Sequence, residues 1–257
     1  MQSAESPPVD RTVDPASGGG ALGDRDAFHG LRAPCAPSDR ATALVHATGL
    51  TFDYGGVGVL HGVDLTVLPG EIVALTGANG SGKSTLLSLI AGLEQPRSGT
   101  LVRPAGSRVA VVFQATPVPE TLPLTVEEVV AMGRWPSAGL WRPLGRRDRA
   151  IVDESIRDLG LAGIRSRSMI EVSGGQRQRA FVAQGLARRA DLLLLDEPMT
   201  ALDAETRAAV GSAVRAAAGR GAGVCLVTHD ADAAALAHRV VRLEGGRVAD
   251  VAAAGRE

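Results

Sequence analysis

Residues 77–85 read GANGSGKST, and the lysine at position 83 is the only lysine in the chain. Every other basic residue among the 27 Lys and Arg is an arginine. The run Gly77-Ala-Asn-Gly-Ser-Gly-Lys-Ser84 fits G-x(4)-G-K-[ST]. It follows EIVALT (71–76), an apolar run that reads as a buried strand, and leads into STLLSLIAGL (84–93), which reads as a helix. A strand–loop–helix frame is what this pattern requires to act as a phosphate loop. Gly77, Gly80 and Gly82 let the backbone wrap closely round a phosphate chain. The N–H groups of Asn79, Ser81 and their neighbours, with the positive end of the next helix, bind the anion. Lys83 is expected to reach the β- and γ-phosphates and Ser84 to ligate Mg²⁺, with Thr85 beside it. Kinases, GTPases, helicases and transport ATPases all use such a loop, so the rest of the chain must decide among them.

Composition narrows the choice. A hydrophobic fraction of 45% over 257 residues is enough for a sizeable core. The formal net charge of -1 gives no field for nucleic acid, and aromatics at 3% argue against a stacking platform for single strands. The two cysteines, Cys35 and Cys225, form no CxxC pair, and the five His are scattered. These thiols read as reduced and structural, in a cytosolic compartment, and the pattern points away from a resident metal site. No window approaches the ~18–20 apolar residues of a spanning helix. The first residues lack the apolar core of a secretory signal.

Residues 1–41 are rich in Pro, Gly, Ser, Asp and Arg without periodicity. They read as a disordered leader, or equally as the product of a start placed too far upstream. Residues 42–257 read as one α/β domain. ALVHATGLTFDY and VLHGVDLTV suit antiparallel strands, and GTLV and RVAVVF suit further short ones. LTVEEVVAMG has a capping-box start, Thr125 with Glu128, and reads as a helix. A polar helix follows near Asp148–Leu159, and SGGQRQRAFVAQGLARR reads as a longer one. The strandless stretch of about 115–188 is expected to form a helical subdomain. LLLLDEP and AGVCLVTHD are unalternating apolar runs of the kind found in parallel sheets covered on both faces. VVRLEGGRVADV reads as a terminal hairpin with a Gly-Gly turn.

LLLLDEP places Asp196 and Glu197 at the carboxyl end of a buried strand, where ligands bind in open α/β sheets. Asp196 is expected to hold Mg²⁺, directly or through water. Glu197, one residue on, must face differently, and there it could polarise the attacking water. An N-cap pair before the next helix is the plainer alternative. VSGGQ (172–176) sets a serine and two glycines at a helix start, a second anion-binding element. A single nucleotide site needs only one glycine-rich loop. One resolution is a head-to-tail dimer with each ATP between the loop of one copy and SGGQ of the other; the other is a simple helix cap.

The order of these motifs resembles that of the nucleotide-binding subunits of ABC transporters, from about residue 43 to the end. The family's Walker A loop is matched by GANGSGKST and its Q-loop by Gln114 in VVFQ. Its signature is matched by VSGGQ, where Val172 replaces the commoner Leu. Walker B is LLLLDE, the D-loop is TALD ending at Asp203, and the H-loop is His229 in VTHD. The adenine-stacking aromatic is matched by Tyr54, the chain's only tyrosine. The resemblance implies a P-loop NTPase of the ABC type: a mixed RecA-like core sheet with an antiparallel β subdomain and a helical subdomain. It implies ATP and Mg²⁺ as ligands, with Ser84, Gln114 and Asp196 toward the metal. Tyr54 would stack on adenine with Val59 beside it, and Glu197 would be the general base. Gln114 would contact metal and water, and His229 the γ-phosphate. Ser173, Gly174, Gly175, Gln176 and Asp203 would contact the ATP of the other protomer.

The same resemblance implies a homodimer on the cytoplasmic face of the membrane, bound to permease subunits and served by an extracytoplasmic substrate-binding protein, with no nucleic-acid partner. Trp135 and Trp141 fall in the segment from Gln114 to about Leu144, where the permease groove is expected; either partner contact or ordinary packing suits them. LPLTVEEVVAMGR and VAQGLARRADLLLLDEP look like segments of zinc and manganese importers, with siderophore and vitamin B12 importers as close rivals. An exporter subunit or a soluble ABC ATPase is the more distant reading. The chain ends soon after its last hairpin, which suggests no regulatory extension of the sugar-importer kind.

Overall fold

The computed structural model describes residues 42–114, 124–139, 143–200 and 202–253. The leader (1–41), part of the stretch after Gln114, and Trp141 lie outside these residues. The sequence pattern translates into two sheets. Strands β1 (Val45–Tyr54), β2 (Val57–Val67) and β4 (Ser98–Val102) form an antiparallel three-stranded sheet in the order β2-β1-β4. Strands β3 (Ile72–Thr76), β5 (Val109–Val112), β6 (Leu192–Asp196), β7 (Gly223–Val227), β8 (Arg239–Glu244) and β9 (Arg247–Ala253) form the second, ordered β5-β6-β7-β3-β8-β9. It is parallel except for the final β8–β9 hairpin, which turns at Gly245-Gly246.

The unalternating strands are buried on both faces, as such runs require. Along β3, Ile72 and Ala74 join one core while Val73 and Leu75 join the other. Strand β6 divides the same way, Leu193 and Leu195 against Leu192 and Leu194. One core is closed by helices. The other is closed by the antiparallel sheet and by α1 (Lys83–Ala91), whose Leu86, Leu87, Leu89 and Ile90 are all buried. Each such side chain contributes roughly 1.5–3 kcal/mol on burial.

The described residues from 124 to 188 carry helices α2 (Val126–Met132), α3 (Trp135–Ala138), α4 (Arg146–Asp158) and α5 (Gly174–Ala187). The only pairing of strand type among them is the isolated bridge between Thr125 and Ser168. The capping box opening α2 is present: the Thr125 hydroxyl accepts from the Glu128 N–H, and the Glu128 carboxylate accepts from the Thr125 N–H at 2.8 Å. Helix α3 was not legible, because its four residues hold no periodicity to read. Trp135 opens it, 43% exposed. Arg134, almost fully buried, donates to Asp148 and to the carbonyls of Ala187 and Arg188, so it ties α2, α4 and the end of α5 together. Helices α6 (Ala204–Gly219) and α7 (Ala231–Ala234) complete the helix-closed core.

Cys225 sits on β7 with no exposed surface, and burial pushes its thiol up to about 12. The thiolate is the reactive form. In a Cys35→Ser background the native protein is therefore expected to resist Ellman's reagent at pH 8, and to react fully once unfolded in guanidinium. Fast reaction of the native form would contradict the burial.

Candidate functional site

The parallel strands deliver their following loops to one edge of the sheet. The phosphate loop follows β3, Gln114 follows β5, Asp196 ends β6 with Glu197 next, and His229 follows β7. These loops enclose an open cleft of about 920 Å³, within the range of ligand sites.

The loop's glycines are used in three different ways. Gly77, Gly80 and Gly82 have φ of 138°, 78° and 101°, in the left-handed region. A Cβ on Gly77 would lie 2.1 Å from the Leu243 carbonyl oxygen, and one on Gly82 would lie 2.6 Å from the Leu60 side chain. Gly80 has open space around it, so only its backbone angle requires glycine. The β8–β9 turn buttresses the loop from beneath, with the Gly246 N–H donating to the Ser81 carbonyl at 3.2 Å. Gly77→Ala combines backbone strain with an overpacked backbone contact, together about 2–6 kcal/mol. Its thermal midpoint is expected to fall by about 5–20 °C. A midpoint within 2 °C of the parent would contradict the packing.

Lys83 is buried, and its Nζ donates to the carbonyls of Gly77 and Ala78, each at 2.8 Å. The ammonium is thus held inside the curve of its own loop. The Ser81 hydroxyl is buried there with no hydrogen-bond partner. A buried polar group without a partner costs about 1–3 kcal/mol, and Ser81 is not among the residues lining the cleft. The loop's concave shape, its amide groups and the single ammonium suit an oxyanion.

Asp196, the last residue of β6, is 7% exposed. Burial holds its carboxyl above the usual value. A hydrogen bond from Ser84 and the charge of Lys83 oppose that shift, and the charge of Glu197 adds to it. Ser84 and Asp196 therefore meet in the cleft. The chain next leaves its strand through Glu197 with φ 49°, one of two non-glycine residues in the left-handed region among the described residues. That turn gives the adjacent carboxylate separate partners. Glu197 accepts from Gln114 Nε2 at 2.6 Å and from Thr200 Oγ1 at 3.0 Å, and pairs with His229 Nδ1 at 3.2 Å. The N-cap of the following helix is Asp203, which accepts from Thr206, so Glu197 is not a cap.

Of the predicted residues, Val59, Asn79, Thr85, Gln114, Asp196, Glu197 and His229 line the cleft with Gly77, Gly80, Gly82, Lys83 and Ser84, whereas Ser81 does not. Thr200 also lines it, and sequence reading missed it. Its position three residues beyond Glu197 was the available signal, since a hydroxyl at that spacing in a turn reaches back to the carboxylate. The structure does not bring Tyr54 into the cleft lining. It stands at the end of β1, 52% exposed, edge-on to Phe52 at 4.8 Å. Ser173, Gly174, Gly175 and Gln176 also lie outside the cleft lining. Ser173 caps α5, accepting from the Gln176 N–H at 3.2 Å, and Gln176 Oε1 accepts from the Ser173 N–H at 3.0 Å. Ser173 and Gly174 are exposed on the surface of the chain that carries them. No described helix is long and apolar enough to cross a membrane.

A parallel sheet with a glycine loop on β3, a carboxylate pair on β6 and the antiparallel sheet packed behind defines a P-loop nucleoside triphosphatase. Residues 60–200 match the ABC transporter family. The chain belongs to that family, whose nucleotide-binding domain is an ATPase. It is 41% identical to the hemin import ATP-binding protein HmuV of Streptomyces coelicolor, over 84% of this chain and 79% of the relative. It is 44% identical to the aliphatic sulfonates import ATP-binding protein SsuB of Granulibacter bethesdensis, over 76% and 78%. It is 40% identical to the zinc transport system ATP-binding protein TroB of Treponema pallidum, over 74% of each chain. Among solved structures, the dimeric ATP-binding cassette MJ0796 in a post-hydrolysis state with ADP and Pi superposes with a TM-score of 0.72. That pair is 26% identical and covers 83% of this chain and all of the other.

Proposed function

We propose that this chain, through residues 42–257 with 115–188 as a helical subdomain, is the ATP-hydrolysing subunit of an importer. It works as a homodimer against membrane permease subunits on the cytoplasmic face. The observation that carries this reading is the split of the site. One chain holds the loop, Lys83, the Ser84–Asp196 contact and Glu197 in one cleft, while Ser173–Gln176 lies outside its lining. Two copies placed head to tail would bring each SGGQ onto the other's loop, with Asp203 alongside. The dimeric form of the MJ0796 cassette supports that arrangement.

In this reading the phosphates of ATP enter the loop and take the remaining N–H of the Lys83 ammonium, while Tyr54 stacks on the adenine and Val59 lies against the nucleotide. The oxygens of Ser84, Asp196 and the Gln114 amide form the hard, all-oxygen donor set that suits Mg²⁺. When bound, Mg²⁺ would neutralise charge on the β- and γ-phosphates. Glu197 takes the proton of the attacking water, held in place by Gln114, Thr200 and His229. His229 turns its second ring nitrogen toward the γ-phosphate. Phe113, beside Gln114 in sequence, is 39% exposed and Trp135 is 43% exposed, and exposed aromatics of this kind suit a permease contact.

For the cargo we favour a metal ion or metal chelate, delivered by an extracytoplasmic binding protein. The hemin and zinc names among the relatives support this, and zinc or manganese is the finer form of the reading. The similarity to SsuB favours an alkanesulfonate as the second reading. Deletion of the gene separates them. A metal importer predicts lower cellular zinc, manganese or iron under limitation of that metal. A sulfonate importer predicts normal metals and no growth on an alkanesulfonate as sole sulfur source. Neither phenotype would overturn both.

A further inference from the structure

The opposite edge of the parallel sheet carries a second cleft, of about 460 Å³. It opens at the amino ends of the strands that carry the nucleotide site at their carboxyl ends. Arg108, Asp191 and Ala222, the residues just before β5, β6 and β7, all line it. Its floor is apolar, with Ile151 from α4, Leu186 from α5, Leu193 from β6 and Ala217 from α6. Its rim carries four arginines: Arg108, Arg147, Arg189 and Arg220.

Two of these arginines are occupied. Arg108 grips Asp191 through Nη2 at 2.7 Å and Nε at 3.3 Å, and Arg189 pairs with Glu154. Arg147 and Arg220 form no ion pair among the described residues. The Arg220 guanidinium is held below its usual value by burial first and by the charge of Arg189 second. Glu154 and Asp158 counter this only through longer-range charge. Arg189 adds an independent sign. It follows α5 with φ 50°, where glycine is the usual residue, yet it is an arginine and lines the cleft with its guanidinium held by Glu154. Guanidinium forks match phosphate oxygens in pairs, and an apolar floor adds affinity only for a ligand with an apolar body.

We infer that this cleft binds a phosphate monoester carrying an apolar body, at a site separate from the nucleotide cleft. Arg147 and Arg220 clasp the phosphate, and Ile151, Leu186 and Leu193 receive the body. The volume fits one small ligand.

Calorimetry with 1-naphthyl phosphate on the full chain tests this, with ADP and Mg²⁺ saturating the nucleotide cleft. One equivalent should bind per chain under that block. The Arg147→Ala/Arg220→Ala double variant should bind it at least tenfold more weakly, while keeping parental affinity for ADP and its thermal midpoint. Inorganic phosphate, which has no body to bury, should bind at least tenfold more weakly than the ester. Absence of binding, displacement of the ester by ADP, unchanged binding in the folded double variant, or equal binding of inorganic phosphate would each overturn the assignment.

Discussion

Glu197→Gln is expected to lose about 10³-fold in ATP turnover while keeping its affinity for ATP. The loop, Lys83 and the Ser84–Asp196 contact are untouched by the change, so the phosphate cradle stays whole. The amide fills the same space and can still accept from one or two of Gln114, Thr200 and His229, so the local turn survives. What disappears is the one carboxylate in the cleft that is free of Ser84 and surrounded by donors able to hold it in a single orientation. Phosphate release and binding of a fluorescent ATP analogue, measured on the same preparation, separate the two effects. Turnover within tenfold of the parent would remove Glu197 from the role of base. Loss of ATP binding instead would show that its carboxylate shapes the cleft rather than the reaction.

Lys83→Arg is the second large effect, and it should behave as a null variant despite keeping the charge. The ammonium lies in a buried space bounded by the carbonyls of Gly77 and Ala78, both at 2.8 Å. A planar guanidinium is wider than an ammonium and carries five donors in a rigid fork, so it cannot be received by that pair of carbonyls without moving the loop. A charge-assisted hydrogen bond contributes about 1.5–3 kcal/mol; the one ammonium N–H left for the phosphates is forfeited, together with at least one bond from the loop amides displaced with it. ATP binding should therefore weaken by more than 100-fold. Near-parental ATPase activity in this variant would contradict the account of the loop. The chain's use of arginine at all its other basic positions gives the comparison its meaning. Elsewhere a positive charge is needed on a surface; here a compact one is needed inside a turn.

Much of this was legible in sequence because it rests on local rules. GANGSGKST carries its own geometry, since its glycines sit where the backbone turns left-handed or meets Leu243 and Leu60. The runs LLLL and GVCLV announce strands buried on both faces, and the Thr125 and Ser173 caps follow from spacing three residues apart. Contacts between distant segments were less legible. That Glu197 would meet Gln114 across 83 residues depends on β5 and β6 being neighbours, and strand order is not written in any one strand. The left-handed turn at Glu197 was hidden for a related reason. A non-glycine residue adopts it only when the surrounding fold imposes it, here through the Glu197 N–H bond to Val227 at 3.0 Å. The arginine cleft was invisible for the same cause. Its four cations come from four separate segments, and each alone reads as a solvated surface charge.

The central claim is that a working site needs two copies, with Ser173 of one acting on the ATP held by the other. Sedimentation of Glu197→Gln with ATP and Mg²⁺ tests it most directly, because the trapped state cannot discharge. The account predicts a mass that doubles on adding ATP, and an ATP-bound species of single mass when Ser173→Arg is added to the same chain. An ATP-saturated Glu197→Gln protein that stays at single mass, or a Ser173→Arg double variant that still doubles, would contradict it.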